Sequence, residues 1–213
     1  MPINKDREYR NMVLSAIQDE TPDTEEKRMI VTGYATIFEE PYTLYQNDDL
    51  VYDEVVDRNA FENTDMSDVI LQFDHEGRVF ARMSNNTLSV RPDERGLLIE
   101  ADLGGTASGR ELYEEIEKGY TNKMSFGFTI DGKEESRNTL PDGRYHYLRR
   151  ITSVRKLYDV SAVSIPANDA TSISVRTLTD GVIEQIRAER LEAEKLELRR
   201  KKMLLQAKLN GGQ

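Results

Sequence analysis

Seven residues restrict the fold of this chain more than any others. In Lys123-Met124-Ser125-Phe126-Gly127-Phe128-Thr129, large apolar residues alternate with small or polar ones, a period of two that suits a β-strand and not a helix. Met124, Phe126 and Phe128 then share one side and can pack into a core, while Ser125 and Gly127 share the other, with the hydroxyl on an open face. A glycine two residues beyond the serine lets another backbone come close to the strand. The pattern suits a serine displayed to a substrate, and it equally suits an ordinary amphipathic strand with a polar outer face. Only partners elsewhere in the chain separate these readings.

The surrounding sequence is mostly of the same kind. Alternation and turn clusters predict strands over 29–38, 50–56, 68–73, 80–83, 88–91, 96–103, 145–154 and 157–165. A short helix is expected around 59–63 behind Asp57, and a longer one over 110–118, ended by Gly119. The polar stretch 131–144, with Asn138-Thr139-Leu140-Pro141-Asp142-Gly143, reads as a projecting hairpin loop. Residues 1–27 are charged and weakly apolar, which predicts a mobile N-terminal arm. A β domain over 28–178 follows, and 179–213 is a Glu/Lys/Arg/Leu-rich tail expected to be helical over 182–209. The class is therefore mainly β with helices, α+β.

Charge and composition narrow the function. With 29 basic against 39 acidic residues the net charge is −10, which opposes attraction to nucleic acid and to anionic membrane surfaces. The absence of cysteine excludes thiolate catalysis, disulfides and cysteine-ligated zinc. The N-terminal residues lack the apolar run of a signal peptide, and no stretch approaches the ~20 apolar residues of a membrane span, so a soluble, intracellular protein is expected. No cofactor is called for. A metal site is disfavoured, because Asp74, His75 and Glu76 are adjacent in sequence and adjacent side chains rarely converge on one ion.

A base for Ser125 must be one of only two histidines, His75 and His146. His75 lies in the polar turn Asp74-His75-Glu76-Gly77 after the apolar run 68–73, where a scaffold can position it. His146 lies among Tyr145, Tyr147 and basic residues, where exposure is the ordinary expectation. Asp159 is an acid inside the apolar strand 157–165, a placement that costs solvation unless a cation or hydrogen-bond donor meets it.

Taken in order, Gly33-Tyr34-Ala35 with Phe38, Glu54-Val55-Val56 ahead of Ala60-Phe61, His75, Gly96-Leu97, Ala101-Asp102-Leu103, Met124-Ser125-Phe126-Gly127-Phe128, Asp159-Val160-Ser161 and Pro166-Ala167-Asn168 resemble the prohead serine proteases of tailed bacteriophages. The resemblance spans about residues 28 to 175. It implies a fold similar to the herpesvirus assembly proteases, a closed β-barrel surrounded by helices and usually dimeric. It also implies an endopeptidase acting inside the immature capsid in the host cytoplasm, one that removes scaffold segments from the major capsid protein and then cuts itself. Carried over by position, Ser125 is the nucleophile, His75 the general base and acid, and Asp159 the residue that orients the imidazole. The herpesvirus relatives use a second histidine at the third position, so His146 stays in competition with Asp159. Oxyanion donors are not identifiable, and the bend at Pro166-Ala167-Asn168 is a guess. A reading from another class remains: a catalytically silent assembly protein that keeps the same barrel for binding capsid or scaffold subunits.

Overall fold

The computed structural model of the chain describes residues 7–18, 28–164, 188, 191–192 and 195–203. The strands are β1 (Glu8–Gln18), β2 (Met29–Ile37), β3 (Tyr42–Gln46), β4 (Leu50–Val56), β5 (Ile70–Phe73), β6 (Glu76–Arg82), β7 (Leu88–Pro92) and β8 (Gly96–Asp102). After them come the helix α1 (Ala107–Glu117) and the two long strands β9 (Lys123–Thr139) and β10 (Tyr145–Val163).

β9 and β10 are the spine. They pair antiparallel from Tyr145↔Thr139 to Val163↔Lys123, with bulges between Ile151 and Asp159 that bend the ribbon. Both long strands run through places where the sequence predicts interruptions. The polar stretch after Ile130 is not a loop, because each residue from Lys133 to Thr139 has a partner on β10; only the turn around Leu140–Arg144 is irregular, with Gly143 at φ 88. One side of β10 is shared by two parallel neighbours, β4 along Tyr145–Ile151 and β5 along Asp159–Ala162.

The expected arm is a strand over much of its length. β1 pairs through Glu8–Val13 with β9 and through Leu14–Gln18 with β2, joining the two halves of the sheet. The order is β3-β4-β10-β9-β1-β2-β8-β7, with β5 and β6 branching from β10. This path does not close, so the expected closed barrel is not formed. Its two end strands, β3 and β7, are five residues each. β7 also presents exposed Ser89, Arg91 and Pro92, the short, charged, proline-bearing character of a strand that ends a sheet.

Alternation places the core as predicted. Val31, Ala35, Leu97, Ile99, Met124, Phe126, Phe128, Leu157 and Val160 are buried, and the Phe126 and Phe128 rings stack 4.7 Å apart. α1 adds Leu112, Tyr113 and Ile116. Its N-terminus is capped by Thr106, whose hydroxyl accepts from Gly109 N at 3.0 Å, and Gly109 has no room for a methyl, which would meet the Leu103 carbonyl oxygen. The second short helix, expected at 59–63, is instead a run of turns: Asp57 Oδ1 accepts from Asn59 N at 2.9 Å, and its carbonyl from Ala60 N at 3.0 Å.

Residues 176–213 form a separate unit. Its described residues are helical and exposed, with Lys201–Glu197 and Lys195–Glu192 ion pairs along the helix; the rest of the expected 182–209 helix lies outside the described residues. Among the described residues no helix is long and apolar enough to cross a membrane.

Candidate active site

Register on the spine assembles the site. Ser125 faces Ser161 and Gly127 faces Asp159 across the β9–β10 pair, so all four share one face of the ribbon. Ser125 and Asp159 are diagonal neighbours on that face, about 7–8 Å apart at the backbone, a gap that an imidazole with a hydrogen bond on each nitrogen can bridge. β5 runs parallel to β10 from Ile70↔Asp159 to Phe73↔Ala162 and then turns back as β6, delivering His75 to the same end.

The turn that carries His75 is strained. Asp74 and His75 have φ of 49° and 59°, the left-handed backbone that a tight two-residue hairpin demands and that glycine or asparagine normally supplies. Holding two such non-glycine residues costs on the order of 1–3 kcal/mol each. β10 holds the turn in place: Asp74 N donates to the Ala162 carbonyl, and the Asp74 carboxylate accepts from Ser164 N at 2.9 Å and Ser164 Oγ at 2.8 Å.

From this turn, His75 Nδ1 makes a short hydrogen bond to Asp159 Oδ2, which also accepts from Ser161 Oγ at 2.9 Å. The other carboxylate oxygen, Oδ1, is ion-paired with Arg7, just ahead of β1. Asp159 therefore has the partners that an acid inside an apolar strand requires. His146 is elsewhere: its Nε2 meets Asp53 Oδ2 at 2.8 Å and its Nδ1 meets Asn138 Oδ1 at 3.1 Å, at the opposite end of β10. The structure thus brings Asp159, and not His146, to the ring of His75.

Two expectations about this face change. Ser125 is not on an open surface but 1% exposed, and Asp159 and Ser161 are fully buried. The most open side chains of the cluster are Arg7 and His75, at 24% and 18%. The Ser125 hydroxyl has no hydrogen-bond partner among the described residues, a condition it shares with the buried hydroxyls of Tyr52 and Thr129, and it differs from them in its place directly across from Ser161, on the face that carries Asp159. The Ser125 hydroxyl is accordingly not hydrogen-bonded to His75 in this structure, and apo geometry of this kind does not by itself exclude a serine–histidine pair. Nor does Gly127 clear space for a substrate backbone. A methyl there would lie 2.5 Å from Asp159 Oδ1 and 2.7 Å from Arg7 Nε, so the glycine clears space for the ion pair. Gly127→Ala should displace that pair and lower kcat/KM at least ~10-fold, read against the thermal midpoint to separate mispositioning from unfolding.

Burial lowers the pKa of His75, the Arg7 charge lowers it further, and Asp74 opposes them, leaving it at about 4. The ring is neutral at pH 7. Sequence reasoning missed Arg7 and the hydroxyl of Ser161. Arg7 was hidden in a segment read as an arm. Ser161 figured in the sequence only within the motif Asp159-Val160-Ser161, with no role attached.

A buried hydroxyl opposite a hydrogen-bonded His–Asp pair on a β scaffold is the equipment of a serine hydrolase. The chain belongs to the caudovirus prohead serine proteases, whose family model matches residues 15–184. It is a serine endopeptidase of phage prohead maturation. Among solved structures, the bacteriophage T4 capsid assembly protease, gp21, is similar with a TM-score of 0.43 and 11% identity, over 75% of this chain and 98% of that one. No curated protein matches the chain.

Proposed function

We propose that the chain cleaves peptide bonds through an acyl-enzyme formed on Ser125. His75 Nε2 takes the hydroxyl proton as Oγ attacks the scissile carbonyl, and the same proton passes to the leaving amine as the C–N bond breaks. Water then attacks the ester, gives a proton to His75, and releases the acid and free Ser125 when that proton returns to Oγ. Asp159 accepts from Nδ1 throughout, which fixes the tautomer and stabilises the imidazolium as it forms. The hydrogen bond from His75 to Asp159, on the ribbon face that carries Ser125, is the observation that supports this reading. The guess that the oxyanion donors lie near residues 166–168 falls outside the described residues.

The substrates belong to the same proposal. Scaffold segments of the major capsid protein are cut inside the prohead, and the protease itself afterwards; dimerisation, self-cleavage and kinship of fold with the herpesvirus assembly proteases rest on the sequence resemblance. A serine-directed phosphonate tests the chemistry. It should form one adduct, mapped by mass spectrometry to the peptide holding Ser125, and none in Ser125→Ala. An unlabelled wild-type chain that still cleaves capsid protein would remove Ser125 from the reaction.

A further inference from the structure

The third partner of Asp159 has no part in the steps above. Arg7 precedes β1, and two residues later Tyr9 pairs with Gly127, which sets Arg7 on the active-site side of the sheet. Its guanidinium packs 4.5 Å from the centre of the Tyr158 ring and reaches Asp159 Oδ1 over the space that Gly127 leaves empty. On either side of Tyr9, Glu8 and Arg10 point the other way and enter a buried ion cluster with Glu54 and Arg149. That cluster anchors the backbone from which Arg7 extends. The contact is therefore built by the fold, and a glycine, an aromatic face and a buried carboxylate all accommodate one guanidinium.

We propose that Arg7 is a positioning residue for His75: it holds the Asp159 carboxylate by the oxygen that His75 does not use, and its charge keeps the imidazole unprotonated. The inference rests on the reading of His75 and Asp159 as base and orienting acid. With His75 on one oxygen and Arg7 on the other, the carboxylate cannot rotate without breaking an ion pair. A fixed cation beyond the carboxylate also cancels part of the charge that would otherwise stabilise imidazolium.

Among the described residues, the other charges near the ring come from three elements. Asp159 does so from β10, where Tyr158 lies under Arg7 with Lys156 Nζ 5.6 Å from its ring centre. From the turn comes Asp74, committed to Ser164, and on β6 Glu76 and Arg78 are exposed. Arg7 is the cation that meets the carboxylate directly. Burial is the larger cause of the depressed basicity of His75, and the Arg7 charge adds to it.

The two histidines make the test clean. Ring resonances of His75 and His146 are followed by NMR against pH in the full chain carrying Ser125→Ala, which prevents autolysis, with Arg7, Arg7→Gln or Arg7→Lys. With Arg7 present, His75 should titrate well below the ordinary ~6.5. Arg7→Gln should raise it by about one pH unit and Arg7→Lys by much less, with His146 unmoved. In the active chain, the acid limb of kcat/KM should move up by the same amount in Arg7→Gln. A His75 that titrates at the ordinary value with Arg7 in place, or one that does not respond to Arg7→Gln, overturns the proposal, and the first result requires no substitution of Arg7. The titration reads the ring and not turnover. A His75 shift that the rate profile ignores would therefore uphold the action of Arg7 and count against the catalytic triad instead.

Discussion

Ser125→Ala should abolish cleavage of a capsid-protein peptide, with a loss of kcat on the order of 10⁶-fold, while the thermal transition moves by less than about 1 kcal/mol. The first expectation follows from the proposed chemistry, in which the Ser125 hydroxyl forms the ester. The second follows from burial: the hydroxyl has no hydrogen-bond partner among the described residues, so its removal sacrifices no such bond and leaves almost no void. Asp159→Asn should act more weakly but still severely. An amide at this position disfavours the tautomer that leaves Nε2 free to accept, and a loss of up to ~10⁴-fold is the expected scale. His146→Ala, which among the described residues breaks hydrogen bonds to Asp53 and Asn138 at the far end of β10, should change turnover less than tenfold. One peptide assayed with all three variants tests the order. A crippled His146→Ala beside a normal Asp159→Asn would reverse the assignment of the third residue.

Parts of this site were legible in the sequence because they depend on local patterns. The alternation from Met124 to Phe128 placed Ser125 on one face of a strand, and an acid at position 159 within an apolar run demanded a partner. The position of His75 at a strand end was visible as well. What escaped was set by pairing between distant segments. Parallel pairing of β5 with β10 brings His75 to Asp159, and no local feature announces it. Glu8 and Arg10 look like the charges of a solvated arm, yet β1 lies between β9 and β2 and their charges neutralise partners inside the protein. The polar half of β9 looks like a loop because it contributes backbone pairing to β10 while most of its side chains face water.

The buried ions on the other face of the sheet carry the largest stability effect expected here. Glu54 is completely buried and accepts from Arg10, Arg149 and Tyr42. Burial alone would raise its pKa, but the charges of the two arginines outweigh that and hold it at about 2. Glu8, which is only partly buried, is lowered in the same way, so two carboxylates balance two buried guanidinium groups. Glu54→Ala leaves Arg10 and Arg149 with excess buried charge, and a loss of about 3–5 kcal/mol in urea unfolding is expected. Replacing Arg10 and Arg149 by Met together with Glu54→Leu should recover most of it, because such a cluster offers little net stability over apolar packing of similar volume. The sign of the pH dependence follows. Glu54 has a lowered pKa when folded, so its contribution is fully present above the ordinary carboxylate value of 4.5 and fades as pH falls from there through about 2. The share of acid destabilisation that Glu54 contributes in that window should accordingly be absent from the triple variant. Because Arg10 in the cluster and Arg7 at the active site leave the same short stretch of backbone on opposite faces, Glu54→Ala should also depress kcat/KM under conditions where the chain is still folded. Full activity in a folded but destabilised Glu54→Ala would show that the two faces of β1 are not coupled.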